Sequence, residues 1–387
     1  MPMLRILFLA ICLCLVPGLT HAKDLFTYDD GILPYGILPV REITTLFIIP
    51  DQEVLPAYIR GAAALYREND MQGAAALRKQ VLNGDMDALF ALAALSRLAE
   101  KENRPPLFGA PAAFWEDWAV RMLGEKEAWF RIGAALFECS KADGLPRKRL
   151  QQMATDVLRK AARLGHPEAM YASAYLSVPY PDKTFQIPKD PGFPIFPSPT
   201  DNPKDYQEFR YWMSAAAFHG SARASYICGC VYRNPDPKLY DEKKCFEMFS
   251  KSMRLGLVPA ANMLRGVCIP NEANNLPHYA NCKSSIYYGI IYAKMDDNSP
   301  MLRLNNKIAK AMMEGNNEDF PEACLTRKEY EDASREAEQE FERIKADMIA
   351  RKEAYDALYA RAKTMLAEMR AAFAAQAGDE ARSATPK

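Results

Sequence analysis

The chain has 387 residues, and its 49 lysines and arginines balance its 49 aspartates and glutamates. A neutral chain without a basic block gives no electrostatic reason to expect a nucleic-acid partner, because phosphate neutralisation dominates that binding. After the amino terminus no apolar stretch approaches about 18 residues, so the sequence predicts no membrane span.

Residues 1–22 have the pattern of a secretory signal peptide. Arg5 precedes an apolar run from Ile6 to Val16, and small residues then lead to a cleavage site after Ala22. The apolar run is too short to cross a bilayer. We therefore expect an exported protein, either periplasmic or secreted.

Residues 23–50 contain the tetrapeptide Gly-Ile-Leu-Pro twice, from Gly31 to Pro34 and from Gly36 to Pro39. Prolines at this spacing disfavour a helix. We expect an extended segment that caps the first helices of the domain. The alternative is a mobile peptide that docks on a partner.

Residues 51–320 are organised around five glycines that recur at intervals of about 40 residues, the size of a helical repeat unit. An alanine stands four residues after each glycine. A glycine just past a helix end adopts a conformation that closes the helix, so each position predicts a tight corner between two helices. The longest interval contains a proline-rich loop over residues 178–205. The glycines are Gly84, Gly124, Gly165, Gly220 and Gly256, and the alanines are Ala88, Ala128, Ala169, Ala224 and Ala260.

Two of these units, "LRKAARLGHPEAMYASAYL" and "FRYWMSAAAFHGSARASYICGCVY", resemble the Sel-one-like repeat family, a relative of the tetratricopeptide repeats. The resemblance implies a right-handed superhelix of helix pairs that acts as a protein-binding scaffold. The predicted fold class is therefore all-α: an α-solenoid of stacked antiparallel helix pairs, with an extended N-terminal segment and a long C-terminal helix. The second unit fits the family pattern at Trp212, Ala216, Ala217, Gly220, Ala224, Gly229 and Tyr232.

An aromatic residue follows four of the corner glycines at a distance of six positions, at Phe90, Phe130, Tyr171 and Tyr226. Such a series packs between consecutive repeats or, if it lies on the concave face, forms a strip that binds a partner. The residues predicted to contact another protein are Phe130, Tyr171, Tyr175, Tyr226 and Arg233.

Of the 9 cysteines, all but Cys12 and Cys14 follow the predicted cleavage site, which leaves an odd number and therefore at least one unpaired thiol. In the family pattern Cys228 stands in a leucine place and faces Cys245 on the next helix. A disulfide between them would link the two helices of one hairpin. The spacing of the cysteines also allows Cys230 to take the place of Cys228 in this bond. Cys268 and Cys282 are candidates for a second disulfide that closes a short loop.

Residues 326–376 predict a long charged helix, since no proline or glycine interrupts the chain there. Apolar residues recur at coiled-coil spacing along it, including Phe341 and Ile344. This apolar seam needs cover, and three arrangements provide it: folding back on the chain, self-association, or docking on another protein. The tail over residues 377–387 is predicted to be disordered.

The sequence contains none of the motifs that predict catalysis. There are no closely spaced histidine pairs, no serine with a lysine three residues later, no Gly-x-Ser-x-Gly and no phosphate-cradling glycine pattern. We therefore predict no catalytic, cofactor-binding or metal-binding residues, and no cofactor.

The predicted function is a non-enzymatic scaffold for protein–protein interaction in the cell envelope or outside the cell. One alternative is a component of an envelope assembly or a polysaccharide-export machine, as some periplasmic proteins with this type of repeat are. Another is a weak β-lactam hydrolase, because secreted cysteine-rich members of the family are linked with penicillin binding.

Overall fold

A computed structural model describes residues 55–68, 77, 79–81, 84–198, 200–204, 206–268, 279, 281–295, 307 and 325–383. These residues contain twelve α-helices, one short 3₁₀-helix and no β-strand, which confirms the predicted all-helical class. The predicted signal peptide, residues 1–22, and the predicted extended segment, residues 23–50, lie outside the described residues. None of the helices in the described part of the chain is long and apolar enough to cross a bilayer.

The chain divides into two compact units. Unit I consists of the described residues of 43–180 and 353–387, and unit II of those of 181–352. Unit I contains α1 Ala57–Glu68, α2 Met86–Lys101, a 3₁₀-helix Leu107–Gly109, α3 Ala112–Leu123, α4 Glu125–Cys139, α5 Arg147–Arg163 and α6 Pro167–Leu176. Unit II contains α7 Gln207–Phe218, α8 Ala222–Arg233, α9 Glu242–Arg254, α10 Val258–Cys268 and α11 Cys282–Met295. Helix α12, Arg327–Ser383, contributes to both units.

The five predicted corner glycines all lie outside helices, directly before or between them. Each has a positive φ, from 81° at Gly124 to 98° at Gly220, which residues with a side chain rarely adopt. Polar side chains then begin the following helices. Asp85 accepts from two backbone N–H groups of α2, and Ser221 accepts from the N–H of Ala224 in α8. After Gly84, Gly165 and Gly220 the next helix is therefore capped by a polar side chain directly following the glycine.

Helix α4 forms the centre of unit I. Every residue from Ala128 to Cys139 is buried, so this helix is covered on all sides. At Gly133 the absence of a side chain lets α5 approach closely, because a Cβ there would lie 2.7 Å from the side chain of Leu158. Because residues 128–139 of α4 are buried, the charged side chains among them need partners inside the protein.

The predicted proline-rich loop, residues 178–205, contains no helix in its described part, and in unit II it is held against α7. Arg210 donates from Nε and Nη2 to the carbonyl oxygen of Phe196, at 2.8 and 2.6 Å. The Phe196 N–H in turn donates to Ser214 Oγ at 3.2 Å. Phe185 lies 5.3 Å from Tyr211, measured between ring centroids. Hydrogen bonds and aromatic packing therefore fix this segment on the helix surface.

Helix α12 begins at Arg327 as predicted, but it continues to Ser383 instead of ending near residue 376. Part of the predicted disordered tail is thus helical, and residues 384–387 lie outside the described residues. The extension is reasonable because residues 371–377 are mostly alanine, the strongest helix former, and Gly378 is a single interruption.

The apolar seam of α12 is covered by its own chain. Phe341 and Ile344 are buried in unit II, where Glu340 also pairs with Arg254 of α9 at 2.9 Å. In unit I, Leu366 is buried next to Gly84. Of the three arrangements that the sequence left open, the structure shows the helix folded back on the chain.

Candidate functional site

Most of the aromatic residues predicted to bind a partner are buried inside the units. Phe130, Tyr175 and Tyr226 are only 2%, 5% and 7% exposed. Phe130 stacks on His166 with the ring centroids 4.1 Å apart, and Tyr226 packs on Phe249. For these three residues the prediction of a partner-binding strip is wrong, because their rings fill the space between neighbouring helices.

The other two predicted partner contacts are only half-buried. The ring of Tyr171 lies 5.0 Å from that of Tyr175, and Arg233 lies at the end of α8. Tyr171 belongs to unit I and Arg233 to unit II.

The predicted disulfides do not form between the predicted partners. Cys228, Cys245 and Cys268 are buried thiols. Cys282 is disulfide-bonded, but to none of the other five cysteines that the structure describes. Cys268 is enclosed where α10 meets α11, and burial raises the pKa of its thiol to about 12. Burial and proximity to Cys230, rather than to Cys228, raise the pKa of the Cys245 thiol.

A buried polar network in unit I joins α4, α6 and α12. Glu127 accepts from Arg131 Nε at 2.7 Å, and its other oxygen lies 2.9 Å from His166 Nε2. His166 Nδ1 accepts from the N–H of Ala169, so a neutral His166 carries its proton on Nε2 and donates it to Glu127. Arg131 Nη2 donates to the hydroxyl of Tyr355 at 2.6 Å.

The charges of this network are strongly coupled. Burial alone would raise the pKa of Glu127, but hydrogen bonds from His166 and Arg131 and the charges of both lower it to about 2. Burial would likewise lower the pKa of Arg131, whereas Tyr359, Glu127 and Tyr355 raise it. Perturbed pKa values of this kind occur at active sites and in structural ion pairs. Here the charged groups bind one another inside the protein, and the hydrogen bond from Arg131 to Tyr355 holds α12 on α4.

Unit II contains an open groove of about 510 Å³. Helix α9 forms one wall, and residues of α11 and α12 complete it. Aromatic rings form part of its lining: Phe246 stacks on Tyr279 with centroids 4.2 Å apart and meets Tyr288 edge-on at 5.9 Å. The lining residues are Phe246, Glu247, Ser250, Lys251, Arg254, Leu255, Tyr288, Asp347 and Arg351.

Two cations of the groove have no ion-pair partner among the residues that the structure describes. Lys251 donates from Nζ to the carbonyl oxygen of Phe218 at 3.0 Å, and burial lowers the pKa of its ammonium group. Arg351 is exposed on α12, whereas Arg254 is paired with Glu340. The ammonium group of Lys251 is thus partly withdrawn from water, and burial disfavours its charged form.

An exposed aromatic ring lies beside the groove. Phe218, the last residue of α7, is 52% exposed, the largest value for a large apolar side chain in the described part of the chain. It stacks on Phe193 of the proline-rich segment at 5.7 Å, and Lys251 Nζ lies 5.8 Å from its ring centroid. We call this region the α7–α9 surface. It consists of Phe193, Phe218, Phe246, Lys251, Tyr288 and Arg351.

Sequence reasoning did not identify this surface. One local signal was present: Phe218 stands two residues before a corner glycine, at the end of a helix where solvent is accessible. The groove itself had no sequence signal, because its walls come from three helices that are distant along the chain. Within the described residues, no group of three or more histidine, cysteine, aspartate or glutamate side chains is placed to hold a metal ion.

Comparisons with known proteins do not assign the chain to a family. No protein-family model, no curated protein and no solved structure matches it. The resemblance to Sel-one-like repeats therefore rests on the residues quoted from the sequence.

Proposed function

We propose that this chain is an exported, non-enzymatic protein-binding scaffold, in which an α-solenoid of stacked antiparallel helix pairs of the Sel-one-like type carries the α7–α9 surface. The single observation that carries this function is the position of Phe218. Aromatic residues are enriched at protein–protein interfaces, and this exposed ring lies beside a cation and an aromatic-lined groove. The rigid helices around it keep the ordering cost of binding small.

The partner is an acidic segment of another protein that also bears an apolar or aromatic side chain. Lys251 and Arg351 form no ion pair with the described residues, which favours a carboxylate-bearing ligand. The faces of Phe218 and Phe246 supply apolar contact area for the second side chain. Asp347 and Glu247 at the same groove disfavour a segment with more than one acidic residue close to them.

The direct test is binding to an array of synthetic peptides in which acidic and aromatic content vary independently. We expect the purified chain to retain peptides that combine both, and Phe218→Ala to weaken retention about tenfold or more. Arg351→Gln should weaken it and reduce its dependence on NaCl, since one screened charge is lost. Lys328→Gln is the matched control, because this lysine is exposed on α12 and does not line the groove.

Retention of the same peptides by Phe218→Ala and the wild type would exclude the α7–α9 surface as the binding site. Preference for basic peptides would exclude the proposed ligand chemistry. Export has its own test: expression in a bacterial host with an intact secretion system, followed by N-terminal sequencing. The expected first residue of the exported protein is Lys23, and an unprocessed Met1 would contradict export.

A further inference from the structure

Cys230 and Cys245 lie at nearly the same level of a closely packed helix pair in unit II. At one end of the pair, Ser252 Oγ of α9 donates to the carbonyl oxygen of Ala222 in α8 at 2.7 Å. At the other end, the Asp241 N–H donates to the carbonyl oxygen of Tyr232 at 3.0 Å. These two contacts set the register of the antiparallel helices, and in that register position 245 lies opposite positions 228 and 229, so Cys228 and Cys230 both lie within two residues of the level of Cys245.

The helices are close together between those two ends. A Cβ at Gly229 would lie 2.8 Å from the ring of Phe249, so the backbone of α8 contacts α9 there. Cys245 precedes Phe249 by one helical turn and is therefore on the face of α9 that packs on α8, where it is fully buried. A short separation of the two backbones is the main geometric requirement for a disulfide between helices.

Gly229, where α8 contacts α9, lies between Cys228 and Cys230 along the chain, and two observations favour Cys230. Cys230 follows Tyr226, whose ring contacts Phe249, by one turn and so lies near the α9-facing side of α8. Cys228 is two residues earlier, which places it about 200° away around the helix. Cys230 is also half-buried, whereas Cys228 is buried, so an oxidant reaches Cys230 first.

We propose that Cys230 and Cys245 form a disulfide when the protein meets a disulfide-bearing oxidant such as oxidised glutathione. The Cys230 thiolate attacks the oxidant, forms a mixed disulfide and releases one glutathione thiolate. The Cys245 thiolate then attacks the sulfur of Cys230 and displaces the second glutathione. Two cysteine thiols are oxidised, one glutathione disulfide is reduced to two thiols, and each cysteine proton passes to a released thiolate.

The second step requires a brief local opening, because the buried Cys245 thiol has a raised pKa and is shielded from solvent. The resulting bond would close a loop that includes the connection between α8 and α9. It is expected to raise the thermal midpoint of unit II by about 5 °C or more, since it restricts the unfolded chain. This inference is independent of the proposed binding function.

The test uses the full chain, reduced and then equilibrated with oxidised glutathione. Trypsin cleavage without reductant should yield a disulfide-linked pair of peptides, residues 224–233 and 245–251, identified by mass spectrometry. The link should persist in Cys228→Ser and disappear in Cys230→Ser. In Cys245→Ala the glutathione mixed disulfide should accumulate on Cys230.

The results that overturn the proposal are equally specific. They are a link that survives in Cys230→Ser and is lost in Cys228→Ser, or a wild-type chain that keeps both thiols after equilibration. Far-ultraviolet circular dichroism of each variant establishes that it is folded. If Cys245→Ala fails to fold, the comparison of the two serine variants decides the question alone.

Discussion

Arg131 of α4 donates a hydrogen bond of 2.6 Å from Nη2 to the hydroxyl of Tyr355 in α12, across 224 positions of sequence. The same guanidinium group pairs with Glu127, which in turn contacts His166. One buried cation therefore connects three helices of unit I. The network explains why Arg131 is present on the buried stretch of α4.

Removing the Tyr355 hydroxyl should destabilise unit I. Tyr355→Phe leaves one nitrogen of a buried guanidinium group without its acceptor, and we expect a loss of about 1–2 kcal/mol in the free energy of unfolding. Urea unfolding followed by tryptophan fluorescence measures it, since Trp115, Trp118 and Trp129 belong to unit I. Tyr330→Phe, on the same helix, is the control and should change little.

Acid should destabilise unit I through Glu127. Its pKa is lowered from an ordinary 4.5 to about 2 in the folded protein, so its stabilisation is complete above pH 4.5 and disappears as the pH falls toward 2. The loss is at most about 3 kcal/mol, from about 1.4 kcal/mol for each pKa unit. Glu127→Gln should be less stable than the wild type at pH 7 and should lose less stability between pH 4.5 and 2.5. Thermal unfolding across this pH range measures both effects, and parallel curves for the two proteins would contradict the assignment.

Replacing either of two helical glycines by alanine should destabilise the protein, although alanine normally favours a helix. A Cβ at Gly133 would lie 2.7 Å from Leu158, and one at Gly229 would lie 2.8 Å from Phe249. We expect each substitution to cost about 1–3 kcal/mol through overpacking. Gly266 of α10 has no atom within 4 Å of the corresponding position, so Gly266→Ala should be neutral or stabilising by up to about 1 kcal/mol. Similar melting temperatures for all three variants would show that the close helix contacts are wrong.

Arg210 should control the accessibility of the proline-rich segment. Arg210→Met removes its hydrogen bonds to the carbonyl oxygens of Phe196 and Pro203 but keeps a long apolar stem. We expect trypsin to cut at Lys183, Lys189 or Lys204 several-fold faster in this variant, because cleavage requires a detached backbone. The Lys328→Gln variant provides the baseline rate, and an unchanged rate in Arg210→Met would mean that aromatic packing alone holds the segment.

The corner glycines follow from local sequence signals, whereas the burial of the aromatic residues depends on long-range packing. Gly165 and Gly220 were found from spacing alone, because a positive φ at a helix end is a requirement of the chain itself. Phe130 and Tyr226 were found as a series, but their burial depends on which neighbouring helix covers them. A periodic aromatic has the same spacing whether it fills a core or lies on a surface, so the sequence left both uses open.

The sequence by itself determined the helical class, the positions of the corners and the start of the C-terminal helix, since each follows from propensity and turn chemistry within a few residues. Only the tertiary structure decided that Arg131 meets Tyr355, and that Phe218 is exposed beside Lys251. Those relationships depend on how helices distant along the chain rotate and pack against one another. No short-range pattern encodes that rotation, because the same helix can present any of its faces to a neighbour.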